Sequence, residues 1–280
     1  MGHERITLNT LQSMKAVGRK IAMLTAYDHP TAVAAQAAGI HSLLIGDSMG
    51  TVLLGHANTR DVPLELMLVL GEAVRRGAPD LFLIGDMPYG PLSSGDEAVT
   101  RAAQRFVGEC GCNAVKLECE SVHAPLVGRI SSSGIIVVAH LGLRPQSILS
   151  PDGYRAQARD ALAIERLVAD ARTLVAAGAA MLLLEAVPPE AARAVISACD
   201  VPVIGCGAGP DCDGHVVVTH DMLGIGTMRP PRFVPVLEQF GQRMTDAMKG
   251  YAESIAAGEY PGPQHCYGMR ATPAEATEPR

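Results

Sequence analysis

Tryptophan is absent, and all aromatic residues together make up only 4% of the chain. That argues against a surface that reads nucleic acid by base stacking. Positive charge is also short. There are 23 Lys and Arg against 29 Asp and Glu, a net charge of -6. No basic face is expected, so nucleic acid is not an expected partner. No apolar run approaches the roughly eighteen residues of a membrane helix, so no membrane association is expected. The opening residues, Met1-Gly2-His3-Glu4-Arg5, lack the apolar stretch of a secretory signal. The seven cysteines, at 110, 112, 119, 199, 206, 212 and 266, include no Cys-x-x-Cys pair. Free thiols in a reducing cytoplasm are therefore expected, rather than disulfides or a zinc site.

What is present is apolar sequence, 48% of 280 residues, enough for a large core. It comes in short uninterrupted runs. Ser42-Leu43-Leu44-Ile45-Gly46 stops at Asp47. Leu81 to Gly85 stops at Asp86, Ala114 to Leu117 at Glu118, Ile135 to Ala139 at His140, and Met181 to Leu184 at Glu185. Such runs fit strands covered on both faces, as in a parallel sheet. Further strands are expected at 21–28, 201–204 and, most weakly signalled, 222–225. Helical stretches lie between them. Pro30, Pro63 and Pro189 sit where helices start, and Gly39, Gly77, Gly111 and Gly178 where they end. Asp96 or Ser94 is expected to cap a helix reaching Cys110, and a final helix is expected over 233–257.

Eight such units without a dividing linker predict an α/β fold, a single (β/α)8 TIM barrel with parallel strands. The barrel is expected over 1–271. Its N-terminal extension carries a short helix across one end of the core. The tail 272–280 is expected to be disordered.

The chemistry is expected at the strand ends. Asp47, Asp86 and Glu118 would end neighbouring strands about 4.8 Å apart. Their carboxylates would repel unless they shared a cation, and a hard ion such as Mg²⁺ suits them. Alternatively, each caps the helix that follows it. Lys116 lies two residues before Glu118 and so on the same side of the strand. It is expected either to bridge one of the acids or to hold an anionic substrate. His140 is read as a structural hydrogen-bonder or a ligand contact. Glu185, among apolar neighbours, suits a group that takes a proton, or else another acid near the metal.

Gly205-x-Gly207-x-Gly209 lacks dinucleotide-fingerprint spacing and reads as room for a bulky ligand or as an anion site. The long loop 49–62, with Gly50, Gly55 and His56, is a lid or a turn. His215 and His220, with Asp213 and Asp221, read as a solvated helix face.

These residues fall into motifs that resemble the ketopantoate hydroxymethyltransferase family. They are Thr25-Ala26-Tyr27-Asp28, Gly46-Asp47-Ser48-Met49-Gly50, Ala73 to Pro79, Val115-Lys116-Leu117-Glu118, His140-Leu141-Gly142-Leu143-x-Pro145-Gln146-Ser147, Leu184-Glu185, and Ile204-Gly205-x-Gly207-Ala208-Gly209 followed by Asp213-Gly214. They keep the family's order over roughly residues 20–265.

The resemblance implies a Mg²⁺-dependent transfer of a hydroxymethyl group from 5,10-methylenetetrahydrofolate to 3-methyl-2-oxobutanoate, a step of pantothenate biosynthesis. It implies a cytoplasmic homo-oligomer, typically a decamer. It also implies Mg²⁺ held by Asp47 and Asp86, with Glu118 close by through water. The 2-oxo acid would touch Ser48, Asp86 and Lys116, His140 would line its site, and Glu185 would be the base.

Three stretches depart from the family pattern. They are Ala57-Asn58 where it reads Asp-Ser, Cys119-Glu120 where it reads Gly-Gly, and Asp152 where it reads Gly. They leave open a hydroxymethyltransferase of altered substrate. Two rivals remain beside it. One is a metal-dependent 2-oxo acid lyase of the phosphoenolpyruvate mutase and isocitrate lyase type, kept open by Cys119. The other is a barrel that only binds an acid or a partner.

Overall fold

A computed structural model describes residues 5–148, 154–226 and 229–269. The departure at Asp152 and the tail 272–280 lie outside the described residues.

The chain begins with α1 (Leu8–Ala16), β1 (Ile21–Thr25), α2 (His29–Ala37) and β2 (Ser42–Ile45). Next come α3 (Met49–Val52), α4 (Leu64–Gly77), β3 (Phe82–Asp86), α5 (Tyr89–Ser93), α6 (Asp96–Gly108) and β4 (Ala114–Glu118). Then follow α7 (Ala124–Ser132), β5 (Ile136–Gly142), α8 (Ala161–Ala176), β6 (Ala179–Glu185) and α9 (Pro189–Ala198). β7 (Val203–Cys206), β8 (Gly214–Val217), α10 (Thr219–Leu223) and α11 (Phe240–Ala256) complete the order. The eight strands pair in parallel in sequence order, and β8 closes on β1.

Strand alternation builds two separate cores. Successive side chains point to opposite faces. Met23, Leu44, Phe82, Ile84, Ala114, Val138, Met181, Leu183, Ile204 and Val216 therefore pack together inside the barrel. Their neighbours, such as Leu43, Leu83, Val115, Leu117, Val137, Leu182 and Val203, face the helices instead. One floor of the interior is closed by α1, as expected of the N-terminal extension. Its Leu11 and Met14 are buried in the same inner cluster. Each such side chain stabilises by about 1.5–3 kcal/mol on burial. Lys15, in the last turn, reaches Asp213 at 2.8 Å and ties the plug to the segment before β8.

The same alternation sets what stands at the open end. Counting up by two, Ile84 leads to Asp86 and Ala114 to Lys116 and then Glu118. Val138 leads to His140, Leu183 to Glu185 and Ile204 to Cys206. The apolar floor thus continues directly into a polar layer.

Several expectations change. The eighth strand is Gly214–Val217, eight residues ahead of the predicted 222–225, where α10 ends and the chain turns at Gly224. The real strand, Gly-His-Val-Val, is too short and mixed to stand out, and its partners β1 and β7 select it. His215 accordingly lies on a strand and His220 is buried, so neither belongs to a solvated helix face. Asp28 does not serve β1. It caps α2, accepting from Thr31 N at 2.7 Å. Gly95, not Ser94 or Asp96, precedes α6, which ends at Gly108. The last helix spans only Phe240–Ala256 and buries none of its residues.

Candidate active site

Asp47, Asp86, Lys116, Glu118 and His140 are all buried at the open end, and Glu185 is partly so. Register explains the grouping. Asp86 pairs with Lys116 across β3 and β4, Glu118 with His140 across β4 and β5, and Glu185 with Cys206 across β6 and β7.

Polar contacts then run around the mouth. Lys116 Nζ lies 2.7 Å from Asp86 Oδ1. Asp86 Oδ2 accepts from the backbone N–H of Asp47 at 3.2 Å. Lys116 Nζ is 3.2 Å from His140 Nδ1. An ammonium has only donors, so Nδ1 accepts and the ring proton sits on Nε2. Burial, then Lys116, lowers the His140 pKa, consistent with that neutral ring. Nε2 faces Glu185 Oε2 at 3.3 Å, near but not aligned as a hydrogen bond.

The charges do not balance. Three buried carboxylates face one ammonium. Burial pushes the Asp86 carboxyl up to about 7, with Lys116 pulling it down and Asp47 pushing it further up. Burial likewise pushes Glu118 well up against the pull of Lys116. Lys116 is drawn the other way by its surroundings. Burial lowers its pKa, but Asp86, Asp47 and Glu118 outweigh that and raise it.

Among the described residues, no three His, Cys, Asp or Glu side chains form a ready metal cage. The donor set nevertheless fits a hard divalent ion. Its groups are carboxylate oxygens short of positive charge, and among the described residues the buried Gln146 Oε1 has no hydrogen-bond partner. Mg²⁺ is commonly held by one or two carboxylates and keeps its other positions for water and substrate.

Ser48 differs from its neighbours. It starts α3 without capping it, and its Oγ lies 2.8 Å from the buried Tyr27 hydroxyl. Tyr27 in turn packs on His220, ring centres 5.3 Å apart.

Three residues without an assigned role belong to the mouth. Gln146 is buried, and its Nε2 donates to Asp47 Oδ2 at 2.8 Å and to Met87 O at 2.9 Å. Its backbone N–H points at both Glu118 oxygens, at 3.2 and 3.3 Å. Gln146 lay inside the motif that starts at His140, but its role was not legible there, because its partners are far away in the chain. Cys206 was within reach of the period-two count from Ile204. Tyr27 lay inside a quoted motif but beyond the end of β1.

The backbone aims Glu185. Ala186 has a left-handed φ of 48°. Gly142, paired with Glu185, has φ 89°, and a Cβ there would lie 2.4 Å from Glu185 O. Only glycine fits at that position.

The departures from the family pattern are accommodated locally. Glu120 pairs with Arg144, two residues before Gln146. Asn58 closes a turn, accepting from Arg60 N at 2.8 Å and donating to Asp61 at 3.1 Å. Burial, then Glu118, pushes the Cys119 thiol up to about 12, the opposite of an activated nucleophile.

A family model described as Ketopantoate hydroxymethyltransferase matches residues 5–263. The 3-methyl-2-oxobutanoate hydroxymethyltransferase of Geobacillus kaustophilus is 39% identical over 257 residues, 92% of each chain. That of Desulfotalea psychrophila is 41% identical over 263 residues, 94% of each chain. Among solved structures, a phosphonopyruvate hydrolase complex with oxalate and Mg++ aligns with a TM-score of 0.60. It covers 93% of each chain at 12% identity, a likeness of fold alone.

Proposed function

Because the chain belongs to the ketopantoate hydroxymethyltransferase family, we propose that its mouth residues carry that family's reaction in the following roles. The chain is a hydroxymethyltransferase, and the reaction lies in pantothenate biosynthesis. The rival lyases share the barrel but not the sequence family.

The observation that carries the assignment of roles is the buried imbalance of three carboxylates against one ammonium, set beside Glu185. Asp47 and Asp86 would hold Mg²⁺, with Glu118 next to them. Such an ion, when bound, withdraws charge from the carbonyl of a 2-oxo acid and acidifies the neighbouring C–H.

The chain's own residues do the rest. Lys116 receives the acid's carboxylate or carbonyl oxygen, balanced by Asp86. Ser48, fixed by Tyr27, offers a further hydrogen bond to it. Glu185 removes the C3 proton, and the Nε2–H of His140 orients it. Gln146 keeps Asp47 and Glu118 turned inward. The apolar floor of Met181, Leu183 and Ile204 keeps bulk water from beneath the reacting carbon.

Overall, 3-methyl-2-oxobutanoate, 5,10-methylenetetrahydrofolate and one water become the hydroxymethylated oxo acid and tetrahydrofolate. C3 loses a proton and gains a C–C bond, and the donor loses its methylene carbon.

A cytoplasmic homo-oligomer belongs to the same reading. Among the described residues no helix is long and apolar enough to cross a membrane. On α11, Met244, Met248, Tyr251 and Ile255 recur at helical spacing and stay exposed, which supports self-association.

The test is exchange of the C3 hydrogen of 3-methyl-2-oxobutanoate in deuterated water, followed by NMR without any donor. Exchange that needs Mg²⁺ and falls by a hundredfold or more in Glu185→Gln is expected. Equal exchange in that variant would remove Glu185 from its role, and none in the unaltered enzyme would reject the proton-abstraction step.

A further inference from the structure

A second cavity opens on the other side of the same mouth. It lies between α3 and α10, holds about 450 Å³ and is lined by Thr51, Val52, Leu53, His220, Asp221 and Ile225, among others. We infer that this cavity seats the bicyclic ring of the one-carbon donor, with Asp221 recognising the ring's amino-pyrimidine edge and His220 making a second polar contact. The inference rests on the reading that the donor is a reduced folate.

Position is the first support. The His220 ring packs on Tyr27, and the Tyr27 hydroxyl meets Ser48, the residue after Asp47. Asp221 follows His220 on α10, the helix after β8. The cavity therefore adjoins the β8, β1 and β2 side of the mouth. The proposed oxo acid site runs from Asp47 and Ser48, after β2, to Glu185 at the end of β6. A donor seated here would lie beside the oxo acid, next to Tyr27 and Ser48.

The cavity's unspent polar groups are the second support. His220 is 9% exposed, and its Nδ1 has no hydrogen-bond partner among the described residues. Burial pushes the Asp221 carboxyl up, and among the described residues no cation or donor pulls it back. An unpaired acid and an unpartnered imidazole in one cavity cost stability unless a ligand meets them. A pterin edge presents a ring N–H beside an amino group, two parallel donors that match a carboxylate's two oxygens. Val52, Leu53 and Ile225 supply apolar contact for a flat ring, and the volume suits a bicycle with its tail in solvent. A larger cavity of about 550 Å³ lies on the outer side of β1 and β8, with mostly apolar walls and away from the mouth. It offers neither a carboxylate nor access to Glu185.

The experiment uses the full-length enzyme with Mg²⁺ and tetrahydrofolate as a binding probe, followed by titration calorimetry, alongside steady-state kinetics. Asp221→Asn is expected to weaken tetrahydrofolate binding and raise the donor KM by tenfold or more. The oxo acid KM is expected to stay within twofold. Val52→Trp, which adds bulk to the lining from α3 and leaves Asp221 in place, is expected to do the same and covers a misfolded Asp221 variant. Unchanged tetrahydrofolate affinity in the folded variants overturns the assignment. So does an oxo acid KM that rises as far as the donor KM. If the unaltered enzyme exchanges no C3 hydrogen, the proposed reaction fails. The tetrahydrofolate titration still decides the cavity.

Discussion

Removing divalent metal and then changing pH tests the charge imbalance directly. With EDTA present, Asp86 is a buried acid whose carboxyl burial pushes up to about 7, against an unfolded value of about 3.9. A folded pKa above the unfolded one stabilises below the unfolded value, and that contribution is lost as pH rises through the folded one. A gap of about three pKa units corresponds to about 4 kcal/mol in full. Between about pH 5.5 and 8.5 the part lost is about 2 kcal/mol. Glu118, also pushed up by burial, adds in the same direction. His140 acts oppositely. Burial lowers its pKa, so its contribution is lost as pH falls.

The profile of Asp86→Asn carries the histidine background without the Asp86 contribution. The wild-type minus variant difference in unfolding free energy, from urea melts in EDTA, is therefore expected to fall by about 2 kcal/mol across that range. Mg²⁺ at a hundred times its Kd is expected to stabilise the wild type by about 3 kcal/mol at pH 8. It should also flatten the slope, because a bound cation favours the ionised acid. A difference that is level, or that grows as pH rises, refutes the view of Asp86 as an acid short of positive charge.

Two further outcomes are expected. Gln146→Ala leaves Asp47 Oδ2 without its donor, so titration calorimetry is expected to show Mg²⁺ affinity lower by about 10- to 100-fold. Stability is expected to fall by about 1–3 kcal/mol, and unchanged Mg²⁺ binding would take Gln146 out of the supporting role. A chain ended at Gln239 loses α11, which buries nothing against the barrel, so its melting temperature at low concentration is expected to move only a few degrees. Sedimentation velocity should show a smaller assembly, and one that keeps its subunit number would clear α11 as the self-association surface.

Sequence alone determined the ring of acids. Side chains on a strand alternate strictly, so an apolar run that fills a barrel interior also dictates which residue stands above it. Ile84 and Asp86, Ala114 and Lys116, and Leu183 and Glu185 follow from that period, and the closed barrel follows from repeating the unit.

What the sequence could not decide depended on partners distant along the chain. Asp28 has the same strand-end look as Asp47, yet a local cap on α2 claims it. β8 is picked out by the edges of β1 and β7, not by its own four residues. Gln146 joins Asp47 and Glu118 only because the loop after β5 folds back over the mouth. The cavity beside His220 exists only because α3 and α10 meet there. Periodicity is a property of one segment and can be read from it, whereas a loop's destination is set by what it packs against, and that is fixed only when the barrel closes.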